Sequence, residues 1–201
     1  ENNIIIIEDD PYSKLRFAGT SEKSLLEIAR DEFNSKSAVV SIRSFSKLLG
    51  PGLRIGYVIA DKNIIAYMNS WAQKVNVTTN RVSQKVVAAY LEKGFLPKQL
   101  ERIKSTYAPL CKQMNSSLKN RIGNNIKWVE PEGGMFIWLN LSESINTDEL
   151  FKKAVKQKVA FIPGSKFYPT GVEKYNGLRL NFSYPTAEQI EVGIERLATV
   201  L

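Results

Sequence analysis

The sequence predicts an α/β protein: part of a mostly parallel sheet with its helices, followed by a smaller α+β unit. Three observations carry this. Short apolar, β-branched runs near the start end in polar turns, as buried parallel strands do. Helical periodicity takes over from Asn63. Beyond a long helix, short strands and helices interleave around Gly and Pro turns. The division falls at Gly94, giving a first block over residues 1–94 and a second over 95–201. At 201 residues, 43% of them hydrophobic, the chain can build one sizeable core or two small ones.

In the first block, Ile4–Ile7 reads as a strand buried on both faces and closed by the polar turn Glu8-Asp9-Asp10-Pro11-Tyr12. Ala38–Ile42 and Leu53–Ala60 read as two more strands, with Gly50-Pro51-Gly52 as punctuation between them. Three strands are few for a doubly wound sheet, so the block looks incomplete. Helices are expected over Asn63–Lys74 and Arg81–Lys93, the latter stopped by Gly94. Pro97 suits the first turn of a long helix to about Arg121, and the interior Pro109 should kink it.

In the second block, Trp128–Glu130 and Met135–Leu141 flank the turn Pro131-Glu132-Gly133-Gly134. Asn146 with Glu149 opens a helix ending near Gln157. Val159–Ile162 and Leu178–Phe182 are short strands. Thr186 and Gln189 form a capping box for the last helix, whose buried face carries Ile190, Ile194, Leu197 and Leu201.

Composition removes several chemistries. There is no His, which excludes Ser-His-Asp and Cys-His catalysis and His-based metal sites. The single Cys111 forms no internal disulfide and suits a reducing compartment, so a cytoplasmic location is expected. No run is apolar and long enough to span a bilayer, and no leader is visible. The net charge of +8 is compatible with nucleic acid or phosphorylated ligands. No Arg-rich, aromatic-interleaved stripe accompanies it, and solvated Lys-bearing helix faces account for it better.

The chemistry-bearing residues cluster at strand ends, where open α/β sheets place their sites. Lys47 follows two hydroxyls in Ser44-Phe45-Ser46-Lys47, and Arg54 follows the Gly-Pro-Gly turn. Asp9 and Tyr12 close the first strand. Such a set suits an aldehyde cofactor bearing a phosphate and a pyridine nitrogen. Lys supplies the amine for a Schiff base, and a carboxylate favours the protonated ring nitrogen. A phenol can bond the ring hydroxyl, while Ser hydroxyls and a guanidinium suit the phosphate. Plainer readings stand beside these. Glu8, Asp9 and Asp10 could form an acidic metal cluster or a solvated turn, Tyr12 a packed aromatic, and Arg179 a strand residue facing water. Too few converging oxygens can be placed to expect a metal.

Five segments in order resemble the fold-type I, class I/II aminotransferases that use pyridoxal 5'-phosphate. They are Glu-Asp-Asp-Pro-Tyr at 8–12, Ser-Phe-Ser-Lys-Leu-Leu-Gly-Pro-Gly-Leu-Arg-Ile-Gly-Tyr at 44–57, Pro-Glu-Gly-Gly-Met-Phe-Ile-Trp-Leu at 131–139, Phe-Ile-Pro-Gly-Ser-Lys-Phe-Tyr at 161–168 and Leu-Arg-Leu-Asn-Phe-Ser at 178–183. The resemblance implies that Lys47 forms the Schiff base and moves the proton. It further implies that Asp9 meets the pyridine nitrogen, Tyr12 the ring hydroxyl, and Ser44, Ser46 and Arg54 the phosphate. Arg179 would clamp the substrate α-carboxylate.

The implied reaction is amino-group transfer between an amino acid and a 2-oxo acid, in a homodimer. Family members carry a comparable length of chain before the first strand seen here, supplying a phosphate loop, a ring-stacking aromatic and much of the dimer interface. The chain is therefore expected to be a fragment or half of a two-chain assembly, binding the cofactor poorly alone. The alternative is the effector domain of a MocR/GntR-type transcription regulator. There an upstream winged helix-turn-helix binds DNA and the cofactor is a sensed ligand.

Overall fold

The computed structural model describes residues 4–33, 39–76, 79–123 and 126–201. The chain forms two compact units, Glu1–Ile103 and Lys104–Leu201. Their boundary lies inside a long helix, where the sequence reading put the division at Gly94.

The first unit is built on a sheet of order β1-β2-β3, comprising β1 (Ile6–Asp9), β2 (Val39–Ser44) and β3 (Gly56–Ile59). β1 and β2 run parallel, with Ile6 opposite Val39 and Asp9 opposite Ile42. The connection between them contains α1 (Leu25–Phe33), the crossover that a parallel pair requires. α1 is opened by a reciprocal capping box: Ser24 N–H donates to Glu27 Oε2 at 2.8 Å, and Glu27 N–H to Ser24 Oγ at 3.2 Å. β3 returns antiparallel to β2, because the intervening residues form only a 3-10 turn and no crossover helix.

Two expectations fail here. Ile4–Ile7 is not buried: Ile4 and Ile7 are 70% and 67% exposed, and the strand starts at Ile6 and runs through Asp9. β1 is an edge strand, with no strand on its outer side among the described residues. The third strand does not begin at Leu53, since Pro51–Leu53 is a 3-10 turn and Arg54 adopts a left-handed conformation. The predicted start of the second strand, Ala38, lies outside the described residues.

α2 (Lys62–Asn76) and α3 (Arg81–Glu92) follow. The Asn80 side chain caps α3 by accepting from Ser83 N–H at 3.0 Å, and Gly94, at φ +67°, ends it. α4 (Leu96–Arg121) continues through Pro109 as one helix.

The second unit holds a sheet of order β4-β5-β7-β6, antiparallel throughout. Its strands are β4 (Lys127–Trp128), β5 (Phe136–Asn140), β6 (Ile162–Pro163) and β7 (Gly177–Asn181), with α5 (Thr147–Lys156) and α6 (Ala187–Ala198). Alternation along β5 and β7 sends Ile137, Leu139, Leu178 and Leu180 into the core, joined by Leu118, Phe182, Ile190, Ile194 and Leu197. Phe136, Trp138 and Arg179 face the other way. Both predicted caps form: Asn146 accepts from Asp148 and Glu149 N–H, and Thr186 and Gln189 make the full capping box. Leu201 leaves the buried stripe because α6 stops at Ala198.

Glu191 ties α6 to α4. It accepts from Ser117 Oγ at 2.5 Å and Gln113 Nε2 at 3.1 Å, and from the Arg121 guanidinium. The Ser117 hydroxyl first, and then Arg121, hold its carboxyl below the ordinary carboxylate range. A group shifted down stabilises the fold above its unfolded value and loses that contribution as pH falls through the folded one. Glu191→Gln should therefore be less stable than the parent at neutral pH, with the gap closing in acid. Denaturation midpoints at pH 7 and pH 3 check this.

Candidate active site

Strand register brings most of the predicted site residues to one end of the first sheet. Asp9 ends β1 level with Ile42 on β2, and Asp10 N–H donates to Ile42 O at 3.0 Å. β2 ends at Ser44. The antiparallel ladder continues one step further, through Phe45 N–H donating to Ile55 O at 3.0 Å. That bond sets Arg54 beside the Ser44-Phe45-Ser46 segment. The C-terminal ends of the parallel pair and the start of β3 thus carry Asp9, Ser44, Ser46, Lys47 and Arg54, the edge where open α/β sheets bind ligands.

The turn after β2 is wound around one carbonyl. Phe45 O accepts from Leu48 N–H at 3.1 Å and Leu49 N–H at 2.9 Å, while the Phe45 ring is buried against Tyr57 at 5.4 Å between centroids. Ser44 Oγ accepts from Ser46 N–H at 3.1 Å. Lys47 is half-buried, and its amine has no hydrogen bond or acid among the described residues. Gly56 is required at the start of β3, where a Cβ would stand 2.7 Å from Arg43 O. Arg54 sits at φ +53°, ψ +43°, a conformation that costs a non-glycine residue about 1 kcal/mol or more. Among the described residues its exposed guanidinium makes one long contact, 3.5 Å to Pro51 O, and is otherwise available for an anion.

On β1, Asp9 is exposed, with no hydrogen bond or ion pair among the described residues. Its neighbours behave differently. Arg43 Nη2 donates to Glu8 Oε2 at 3.0 Å, Nε to Ser41 Oγ at 3.0 Å and Nη1 to Ser13 Oγ at 3.2 Å, and Nη1 also pairs with Asp10. Ser41 Oγ donates to the same Glu8 oxygen at 2.9 Å. Exposures of 15% for Arg43, 11% for Glu8 and 21% for Asp10 keep water largely out of this network. Successive strand residues alternate faces. One guanidinium holding Glu8 and Asp10 on one face therefore turns Asp9 to the other. The second Asp10 oxygen accepts from Tyr12 N–H at 3.1 Å and Ser13 N–H at 2.8 Å, which shapes the turn carrying Tyr12.

Glu8 and Asp10 of the acidic run are thus held by one guanidinium, and Arg43 is the residue the sequence reading missed. Its signal was available: Glu8 and Asp10 lie two apart across the end of a strand, and a cation lies on the neighbouring strand. A cavity of about 450 Å³ opens on the Glu8–Arg43 side and includes Ser44 and Tyr57 in its lining. Asp9, Tyr12, Ser46, Lys47 and Arg54 are not among its walls.

Arg179 belongs to the second unit. It stands at the middle of β7, opposite Trp138 on β5 and Ile162 on β6. Its guanidinium carbon lies 3.9 Å from the Phe136 ring centroid and 4.5 Å from that of Phe167. Cys111 has no part in either set. Burial, and then the nearby Glu130 carboxylate, push its thiol up to about 11 and keep it protonated and inert.

Residues 1–197 match the family described as aminotransferase class I and II, and the chain belongs to that family. It is 37% identical over 199 residues to aromatic-amino-acid aminotransferase 1 of Thermococcus litoralis, covering 99% of this chain and 46% of that protein. Among solved structures it resembles LysN, the α-aminoadipate aminotransferase of Thermus thermophilus crystallised with N-(5'-phosphopyridoxyl)-L-leucine. That match has a TM-score of 0.91 at 32% identity, over 98% of this chain and 50% of the other. An HTH-type transcriptional regulator of Bacillus subtilis, YdfD, is 26% identical over 98% of this chain and 39% of its own length. The chain spans about half the length of the curated relatives it matches.

Arg43→Met should leave two carboxylates facing each other with little water and cost roughly 3 kcal/mol. Arg43→Lys should recover only part of it, because a point charge cannot fork between Glu8 and Asp10. Urea unfolding of the three proteins checks the order.

Proposed function

We propose that this chain is the C-terminal portion of an amino acid:2-oxo acid aminotransferase dependent on pyridoxal 5'-phosphate, with the cofactor on the first unit. One observation carries the reading. Among the described residues, an unpartnered Lys47 amine, an unpartnered Asp9 carboxylate and an anion-ready set of Ser44, Ser46 and Arg54 stand at one sheet end. The donor set fits the group. Hydroxyls and a guanidinium suit a phosphate dianion, a carboxylate suits a protonated pyridine nitrogen, and an amine suits an aldehyde.

When bound, the cofactor supplies an electron sink for a carbanion at the substrate α-carbon. The remaining work belongs to the protein. Arg54, Ser44 and Ser46 would hold the phosphate and so fix the ring. Asp9, turned out by the Arg43 network, would hold a proton on the ring nitrogen by charge attraction. Tyr12 would hydrogen-bond the ring hydroxyl. Lys47 would carry the covalent attachment and supply the amine that takes the α-carbon proton and returns it. Arg179 takes the α-carboxylate in a two-pronged hydrogen bond.

Further polypeptide is expected on the first unit. α2 buries none of its side chains, and Ile4, Ile5, Ile7, Trp71 and Val75 are at least half exposed. Exposed apolar surface of this kind marks an interface, here proposed for the remainder of the parent chain and a second copy in a cytoplasmic homodimer. A second reading, the effector domain of a MocR/GntR-type regulator, draws on the likeness to YdfD. Specific DNA binding by the parent protein with no transamination of any amino acid would favour it.

In the full-length parent titrated with pyridoxal phosphate, the Lys47 attachment should produce an absorbance band near the visible edge. Lys47→Ala should abolish it in a folded protein, and a persisting band would overturn the assignment. Arg54→Gly relieves the left-handed strain while removing the guanidinium. It should unfold no more easily than the parent, by up to about 1 kcal/mol in its favour, yet bind the cofactor at least tenfold more weakly. Arg179→Ala should instead raise substrate KM and leave cofactor affinity in place.

A further inference from the structure

Arg179 is held in an unusual way for a half-buried cation. No carboxylate pairs with it among the described residues, and its buried Nε has no hydrogen-bond partner there. What surrounds it is aromatic. The guanidinium carbon lies over the Phe136 ring at 3.9 Å and over the Phe167 ring at 4.5 Å. Phe167 is itself oriented by Trp138, edge-on at 5.4 Å and 85°. Trp138 is the cross-strand partner of Arg179, and its ring reaches across β7 only because residue 177 is glycine. A Cβ there would stand 2.2 Å from Trp138 Cζ2.

From this geometry we infer that Phe136 and Phe167 are positioning residues for the carboxylate arginine, holding its charge on ring faces so that its in-plane donors stay unspent. The physics separates the two ways of stabilising a cation. An acid partner would occupy the N–H donors and cancel the charge. A ring face attracts the charge through its quadrupole from above the guanidinium plane, leaving the N–H groups free. Such an arginine is poised for an incoming carboxylate, and its orientation is set before the ligand arrives. The contrast with Arg43 lies in the same chain: that guanidinium spends its donors on Glu8, Asp10, Ser13 and Ser41 and has little left to offer.

The clamp can be read directly, apart from turnover. In the full-length parent, labelled with ¹⁵N-arginine, the Arg179 Nε–H signal, assigned by its loss in Arg179→Lys, should lie upfield of exposed arginines and exchange slowly with water. Phe167→Leu should return it to the exposed position. Phe167 is 43% exposed, so the change opens no sealed core. Phe167→Tyr, which keeps the ring face, should leave the signal in place. If Phe167→Leu and Phe136→Leu both leave it unmoved in folded protein, the clamp is wrong.

The functional half rests on the proposed role of Arg179. In the cofactor-loaded parent, Phe167→Leu should raise the amino-acid KM roughly tenfold with kcat little changed, the loss expected for a weakened cation–π contact. Phe167→Tyr should restore it. A released Nε signal with an unchanged KM would keep the clamp but remove Arg179 from substrate binding. A signal unmoved in both leucine variants would sink the clamp whatever the kinetics.

Discussion

A single guanidinium shapes the end of the first unit that is proposed to hold the cofactor. Arg43 reaches across from β2 to take Glu8 and Asp10 at once, with Ser41 and Ser13 accepting from it as well. Because the three charged side chains are mostly buried, losing one partner should cost more than losing a surface pair. The consequence falls on Asp9, which the network does not touch. With both neighbours fastened to one face of β1, strand alternation leaves Asp9 the other. The parallel register with β2 then sets it at the same sheet end as Ser44, and the ladder to Ile55 brings Arg54 to the segment that leads to Lys47.

The two arginines proposed to bind anions, Arg54 and Arg179, differ in what they have left to give. Arg54 is exposed, in a strained left-handed backbone, with one weak contact of its own. Arg179 is half-buried against aromatic faces. Among the described residues neither charge is compensated by an acid, which is the state an anion-binding residue needs. Strain at Arg54 follows the pattern of sites that hold a costly backbone for the sake of a side chain's position.

Much of this was legible in the sequence, and the reasons are specific. The antiparallel strands β5 and β7 alternate apolar and polar residues, and α5 and α6 announce themselves by Asn146 and by the Thr186–Gln189 box, because those signals are local. Ile4–Ile7 misled because four isoleucines imply burial only when something covers them, and the described residues place β1 at an edge. Leu53 and Arg54 looked like strand, yet the Pro51 turn and the left-handed Arg54 delay β3 to Gly56. The roles of Phe136 and Phe167 were illegible because each depends on a neighbour in another strand or loop. Pairing of that kind is decided by register and not by spacing along the chain.

The proposed function requires that Lys47 be the residue that joins the cofactor. The most direct measurement is borohydride reduction of the full-length parent saturated with pyridoxal phosphate, followed by peptide mapping by mass spectrometry. A phosphopyridoxyl group on Lys47 alone is the predicted result. Stoichiometric labelling of a different lysine, or none on the Ser44–Lys47 peptide, would contradict it.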